Sequence, residues 1–335
     1  MKNSLSQKIS TARVICILSL IYVHFPPLYG KITDVNNGTD YLVMLISNLI
    51  GRCSVPLLSI VSGYLIVTSI SKYKYTQLLK NKTLTLLVPL GAWNLISLTK
   101  DILLGNSPLD DKNILNYLFS IYDTPGILPL YFLRDIFVCV TLAFLLLRLT
   151  SGIKSIITIL VLIALSIFNI NNYLFINDKI VIFFFIGMII ANESMRIEIF
   201  ENKALFIASI IFLTILTNLL IFIKPENLSN EAQTITSLVS RCFGAIIFWN
   251  VACFLTKKIN IGKYSSVIFF TFCSHTLIIS SIWIITNKLH IEPMTYSYLI
   301  LFIISPAIVF IISLMIYEPF VRLLPKAQIL LTGKR

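Results

Sequence analysis

The sequence predicts an all-α integral membrane protein, a bundle of about ten transmembrane helices with both termini in the cytoplasm. Of the 335 residues, 57% are hydrophobic and only 13% are charged, which is more apolar surface than a soluble domain of this size can bury. The apolar runs are continuous and close to the length of a bilayer crossing, whereas a membrane barrel would alternate polar and apolar residues. Helices satisfy their own backbone hydrogen bonds in lipid, so the runs indicate helices.

Each predicted span is an apolar run that approaches the roughly 20 residues needed to cross a bilayer. The fifth and sixth runs are short for a full crossing. The second is long, and Gly51, Pro56 and Gly63 predict that it bends or breaks inside the membrane. In chain order the predicted spans are 14–30, 42–69, 83–103, 127–149, 155–169, 179–192, 204–223, 236–256, 265–286 and 296–318.

The basic residues alternate between the two sides of the membrane as the positive-inside rule requires. With the amino terminus inside, most of the 27 lysines and arginines fall in cytoplasmic segments, and the outer segments hold only Lys31, Lys112, Lys179, Lys224 and Lys288. An even number of spans follows. The net charge of +12 is thus explained by orientation and by attraction of anionic membrane lipids or an anionic cosubstrate, without a nucleic-acid partner.

The chain is interpreted as a single transmembrane domain, residues 1–335 with a core of about 10–320. We find no internal repeat or linker, and the outer segment 104–126 is too short for a soluble catalytic domain. The tail after Glu318 is interpreted as a short basic segment. The six cysteines fall in apolar segments and the three histidines on separate ones, so neither a disulfide framework nor a metal site is predicted.

Arg13 and His24 are the first candidates for function, because ionisable side chains inside a span are expensive in hydrocarbon. They lie eleven positions apart, almost three helical turns, and so share a face with a separation of roughly 16 Å. An arginine at the cytoplasmic mouth can bind phosphate, and a deeper histidine can move a proton. The alternative is a snorkelling arginine and a structural histidine, and the spacing leaves both interpretations open.

Four further ionisable residues carry the same ambiguity. Arg52 either clamps a substrate or the carbonyl ends of a broken helix, or pairs with Asp101 or Asp135 for structure alone. Arg134 and Asp135 are adjacent, so they point to different sides of a helix and need not pair. A position near the outer interface, where charge is less costly, favours a structural role for both. Arg241 lies early in the eighth span and is open in the same way, whereas His275 is expected to face a polar cavity.

Several stretches together resemble the bacterial membrane acyltransferase 3 family. In RVICILSLIYVHF, ten residues separate Arg13 from His24. The order continues with SVPLLSIVSGYLI (54–66), LPLYFLRDIFV (128–138) and GKYSSVIFFTFCSHTLI (262–278), and ends with YEPF (317–320). The resemblance covers about residues 10–320. It departs from the family at Lys80 and Lys82, where arginines are common, and at Thr276, where proline is common after the histidine.

The resemblance implies an enzyme of the bacterial inner membrane that moves an acyl group, most often acetyl, from cytosolic acyl-CoA to a surface glycan such as O-antigen, capsule or exopolysaccharide, or to a lipid-linked saccharide. Acetyl-CoA is then a cosubstrate, with no permanently bound cofactor and no metal. On this basis we expect three sets of residues. They are a catalytic set of His24, Arg13 and Arg52, a donor-binding set of Arg13, Lys80 and Lys82, and a substrate cavity lined by Ser62, Tyr64, Arg134 and His275.

The alternative function is a polytopic transporter or flippase of a glycan or lipid-linked intermediate, since such proteins also carry intramembrane charges. The lack of an internal repeat and the presence of the Arg13–His24 pair favour the acyltransferase. A glycan polymerase, a further alternative, usually needs a sizeable outer loop that this sequence does not show.

Overall fold

The computed structural model describes residues 2–27, 35, 37–106, 109, 113–168, 176–193, 197–224, 227–259 and 261–333. Within these ranges the regular secondary structure is helical, without a β-strand. Lys31 and Lys112, used in the charge argument, lie outside the described residues, as do positions 28–30 of the first predicted span and position 169 of the fifth.

Fourteen α-helices are formed in the described ranges, with two π-helical turns, Ser47–Arg52 and Thr83–Leu87, and short 3₁₀ turns between them. The helices are α1 Lys2–His24, α2 Gly38–Ile46, α3 Cys53–Ile70, α4 Tyr75–Lys82, α5 Val88–Leu103, α6 Ile114–Phe119, α7 Tyr131–Leu146, α8 Gly152–Ile167, α9 Asp178–Asn192, α10 Lys203–Ile223, α11 Asn230–Thr256, α12 Ser265–Lys288, α13 Tyr296–Leu323 and α14 Pro325–Thr332.

The predicted spans coincide with helices, and the prediction of an all-α, multi-pass membrane protein is confirmed. Eight helical segments of the described chain are long and apolar enough to cross a bilayer: Leu5–His24, Gly38–Ile70, Tyr75–Leu103, Leu128–Leu147, Lys203–Ile223, Asn230–Thr256, Ser265–Lys288 and Tyr296–Leu323. The fifth and sixth predicted spans are α8 and α9, with 16 and 15 residues. At 1.5 Å per residue each is about 23 Å long, shorter than a hydrocarbon core of about 30 Å.

The two short helices leave the predicted even number of spans unchanged. The backbone N–H of Gly152, at the start of α8, donates to the Glu193 carboxylate at the end of α9, at 3.1 Å. Since these two ends meet, the pair adds either two crossings or none. Both termini therefore lie on the same side in either case.

The chain forms two compact units, one of residues 1–58 and 196–315, the other of residues 59–195 and 316–335. Helices α3 and α13 contribute to both, and the expectation of a single domain stays a prediction. In the first unit α1 packs against α11, α12 and the turn Ser47–Arg52, and α10 packs on α11. This unit contains a buried cluster of aromatic and aliphatic side chains: Ile21, Phe25, Val43, Ile278, Ile279, Tyr298, Phe302 and Val309.

In the second unit α9 packs against α7 and α8, and α5 packs against α6 and α14. The expected short basic tail is instead the helix α14, which lies on α5. The indole N–H of Trp93 donates to the carbonyl oxygen of Leu331 at 2.9 Å. Ala327 and Leu331 are half-buried, whereas Ile329 and Leu330 are exposed. The Trp93 bond joins the tail to the folded unit.

Gly63 of α3 and Gly187 of α9 let the two helix backbones touch. A β-carbon on Gly63 would overlap the carbonyl oxygen of Phe184, and one on Gly187 would overlap the carbonyl oxygen of Ile60. Small residues at a helix crossing are the usual device for close packing in membranes, where dispersion and backbone contact hold helices together. Gly63 therefore acts in packing α3 against α9.

We expect Gly63→Ala and Gly187→Ala each to destabilise the second unit by about 1–3 kcal/mol, the usual range for overpacking a tight interface. The measurement is the midpoint of thermal aggregation of the detergent-purified protein. Gly38→Ala is the matched control, because a β-carbon at Gly38 meets nothing within 4 Å. Equal midpoints for all three variants would contradict the packing account.

Candidate active site

His24 is the last residue of α1, because Pro26 and Pro27 follow and proline cannot continue a helix's hydrogen bonding. Its ring lies against that of His275, with centroids 5.2 Å apart. His275 is the eleventh of the 24 residues of α12, about 15 Å from the start of that helix. The contact therefore places His24 level with the middle of a neighbouring span, inside the depth of the bilayer.

His275 is 1% exposed. Its Nδ1 lies 2.6 Å from the carbonyl oxygen of Phe272. A carbonyl only accepts, so Nδ1 carries the proton. The other nitrogen, Nε2, is buried and has no hydrogen-bond partner among the described residues.

The turn Ser47–Arg52 is the predicted interruption of the second span, and it joins α2 to α3 without breaking the helix. A π turn holds an extra residue per turn and is often found at functional sites. Pro56 follows on α3 and has no N–H to donate to the Arg52 carbonyl, which favours a change of helix type here. The Ser54 hydroxyl donates to the carbonyl oxygen of Gly51 at 2.7 Å.

Two glycines hold this turn between α1 and α11. A β-carbon on Gly51 would lie 2.6 Å from a methyl carbon of Val23 on α1. A β-carbon on Gly244 of α11 would lie 2.8 Å from the carbonyl oxygen of Cys53. The backbone around Arg52 is therefore fixed from two sides, while its side chain is exposed.

The electrostatic neighbours of His24 in the described part of the chain are His275 and Arg52. Arg52 and Arg241 both act on Cys53, so Arg241 of α11 belongs to the same cluster. The thiol of Cys53 is 4% exposed and donates to the carbonyl oxygen of Ser240 at 3.7 Å, which does not suit a nucleophile. This cluster of two imidazoles and two guanidinium groups can remove a proton and stabilise a developing negative charge.

Arg13 lies on the same continuous α1, half-buried, eleven residues before His24. Nearer the amino terminus, the Lys8 ammonium donates to both carboxylate oxygens of Glu201, at 2.7 and 2.9 Å. Both residues lie on the predicted cytoplasmic side. The ion pair anchors the inner end of α1 and so fixes the position of Arg13 and His24 along the membrane normal.

The remaining predicted site residues belong to the second unit. Lys80 is exposed and Lys82 half-buried at the end of α4, and Ser62 and Tyr64 are partly exposed on α3 beside Gly63. Their roles in binding donor and acceptor stay predictions.

Sequence reasoning did not include Arg241 in the site set, although its charge inside the eighth span was the signal.

Arg134 does pair with Asp135, so the expectation that adjacent residues need not pair was wrong. Its Nε and Nη2 atoms both reach one carboxylate oxygen, at 2.7 and 2.6 Å, because the long arginine side chain can fold back along the helix. Nη1 donates to the carbonyl and hydroxyl oxygens of Ser120. Asp135 accepts from the backbone of Asn177 at 3.1 Å. Arg134 thus ties the outer loop to α7, and its place in a substrate cavity stays a prediction.

Within the described residues, no group of three or more His, Cys, Asp or Glu side chains is placed to hold a metal ion. Around His24 the described ionisable groups that act on the ring are the imidazole of His275 and the guanidinium of Arg52.

Comparisons with known proteins agree with this chemistry. The family model described as "Acyltransferase domain" matches residues 7–318. The chain is similar to the succinoglycan biosynthesis protein ExoH of Rhizobium meliloti (strain 1021), with 26% identity over 356 residues that cover 100% of this chain and 94% of that protein. No solved structure matches the chain.

The packing of the turn Ser47–Arg52 between α1 and α11 can be tested without an assay of activity. Gly244→Val should push the turn away from α11 and open the site of Cys53, raising its rate of alkylation by N-ethylmaleimide about tenfold through local opening. Mass spectrometry of the labelled cysteines is the measurement. Cys139, which is 1% exposed on α7 of the other unit, is the internal control. An unchanged rate at Cys53 would show that Gly244 does not hold the turn.

Proposed function

The chain belongs to the acyltransferase 3 family, and from this premise we propose that it transfers an acyl group, acetyl in the first instance, from cytosolic acyl-CoA to a hydroxyl of a cell-surface glycan or lipid-linked saccharide. The observation that carries the proposal is His24, whose ring lies against His275 in the middle of α12 and near Arg52, on the helix that also carries Arg13. The match to the acyltransferase model over residues 7–318 favours this function over a flippase, which can also carry intramembrane charges.

A polysaccharide acceptor is supported by the similarity to a succinoglycan biosynthesis protein. Exopolysaccharide is accordingly the first acceptor to test, before O-antigen and capsule. The bacterial inner membrane is the proposed location, because a donor made in the cytosol must reach the inner end of α1.

The donor enters from the cytoplasmic side in this proposal. Acyl-CoA carries several phosphate charges, and Arg13 offers a planar guanidinium for bidentate binding. Lys80 and Lys82 add point charges that attract the donor and neutralise its phosphates. The pantetheine arm then follows α1 towards His24, roughly 16 Å further along the helix, and brings the thioester there.

The reaction is a direct transfer. His24 takes the proton of the acceptor hydroxyl while the hydroxyl oxygen attacks the thioester carbonyl carbon. Negative charge develops on the carbonyl oxygen, and Arg52, with Arg241 beside it, stabilises that charge. The carbon–sulfur bond breaks, the CoA sulfur takes the proton back from His24, and the products are an ester and free CoA.

Replacing His24 with alanine should abolish acylation, since loss of a general base lowers the rate by about 10²–10⁴-fold. The measurement is mass spectrometry of surface polysaccharide from wild-type, deletion and His24→Ala cells, with the protein level checked in membranes. The acetyl increment should be absent from both mutant strains. His290→Ala is the matched control, because His290 is exposed beyond the end of α12. Full acylation in the His24→Ala strain would contradict the proposal.

Replacing Arg13 with glutamine should weaken donor binding more than chemistry, because the residue lies far from the reacting atoms. We expect the KM for acetyl-CoA to rise about tenfold, consistent with the loss of one charged hydrogen-bonded contact of about 1.5 kcal/mol. Steady-state release of CoA by protein in nanodiscs is the measurement. Lys80→Gln should give a smaller rise that disappears at high salt, since Lys80 is exposed and screened. A fall in kcat with an unchanged KM in Arg13→Gln would place Arg13 at the chemical step instead.

A further inference from the structure

We propose that His275 is a positioning residue for His24: its buried Nε2 accepts a hydrogen bond from one ring nitrogen of His24 and leaves the other to act as base. The inference rests on the proposed role of His24. It is carried by the ring contact at 5.2 Å, the bond that fixes Nδ1 of His275, and the buried, unsatisfied Nε2.

The tautomer of His275 follows from its surroundings. Nδ1 donates to the Phe272 carbonyl and therefore carries one proton. A second proton on Nε2 would make a buried cation, which is expensive without an acceptor, and Nε2 has none among the described residues. The ring is thus neutral, with a lone pair on Nε2. An acceptor without a donor is unfavourable when buried, so a donor that approaches Nε2 is stabilised there.

His24 is the neighbour that can supply the donor. The two rings are within contact distance, tilted by 55°, and His24 is the last residue of α1. A small rotation of the His24 ring aims one N–H at Nε2. This bond selects the tautomer of His24 and points its second nitrogen away from α12.

The hydrogen bond from His24 to His275 is more important during acyl transfer, when His24 becomes charged, than in the resting enzyme. His24 becomes an imidazolium when it takes the proton of the acceptor, and the nearby Arg52 charge opposes this step. In many enzymes a carboxylate stabilises the protonated histidine. Here His275 and Arg52 are the groups that act on His24 in the described part of the chain, so a neutral lone pair takes that role. A neutral acceptor also avoids neutralising Arg52, which the oxyanion needs.

The test measures the reactivity of His24 directly. The chain has three histidines, so carbethoxylation by diethyl pyrocarbonate can be followed at each one by mass spectrometry of protein in nanodiscs. His290 is exposed and is the internal standard. An imidazole that donates to an acceptor through one nitrogen is more basic at the other. We therefore expect His275→Leu to slow labelling of His24 relative to His290 by about tenfold.

His275→Gln should restore the His24 rate to within about threefold of wild type, because the glutamine carbonyl offers an acceptor near the position of Nε2. Ser274→Ala is the matched control on the same buried turn; its hydroxyl bonds only within α12, to the Phe270 carbonyl at 2.9 Å, and its loss should leave the rate unchanged. An unchanged rate in His275→Leu, or equal losses in the leucine and glutamine variants, would overturn the proposal.

Steady-state kinetics separate this inference from the proposed function. With acetyl-CoA as donor, His275→Leu should lower kcat for CoA release about tenfold at an unchanged KM, and His275→Gln should recover it. If the proposed function is wrong, His24→Ala cells will still acylate their polysaccharide fully, which is a different experiment. If the protein has no acyltransferase activity but the labelling of His24 still depends on His275, the hydrogen bond between the two histidines is supported. Only its role in catalysis is then removed.

Discussion

Hydrocarbon gives a charged or polar side chain no water to bind, and that constraint organises the structure of this protein. Arg52, Arg241 and His275 lie towards the middle of helical spans in one unit, and the His24 ring lies against that of His275. They are held there by backbone contact. The π turn carrying Arg52 is fixed between α1 at Gly51 and α11 at Gly244, and the Lys8–Glu201 pair sets the height of α1. Because these contacts hold the helices in close packing, the helices themselves position the side chains of the site, without a contribution from loops.

Much of this fold is readable from the sequence, since apolar length and charge asymmetry are local signals. They locate most helix ends to within a few residues, although α11 begins six residues before its predicted span and α13 ends five residues after it. At α1 the helix begins well before the predicted span and stops at His24 because of Pro26 and Pro27. The short helices α8 and α9 also correspond to apolar runs that are short in the sequence. The tail is not, because α14 is stabilised by its contact with α5 through Trp93 and Leu331, and single-sequence patterns do not report such contacts.

The sequence singles out the ionisable residues inside the predicted spans, but not which of them the fold brings together. The Arg13–His24 spacing is a property of one helix, so helical geometry alone defines it. The approach of His275 to His24, and of Arg241 to the Arg52 turn, depends on how separate helices pack. Arg134 shows the opposite error: its adjacency to Asp135 suggested divergence, whereas a flexible side chain folded back onto its neighbour. Helix position predicts where a Cβ points, and long side chains are less bound by it.

The central claim is that His24 meets the donor thioester inside the membrane. The most direct measurement is an electron cryo-microscopy structure of the protein in nanodiscs with a non-hydrolysable thioether analogue of acetyl-CoA. The account predicts the CoA phosphates at the inner end of α1 beside Arg13, and the acyl carbon within about 4 Å of the His24 ring, which is the reach of a near-attack geometry. Density for the acyl end far from His24, with the analogue otherwise well ordered, would contradict the account.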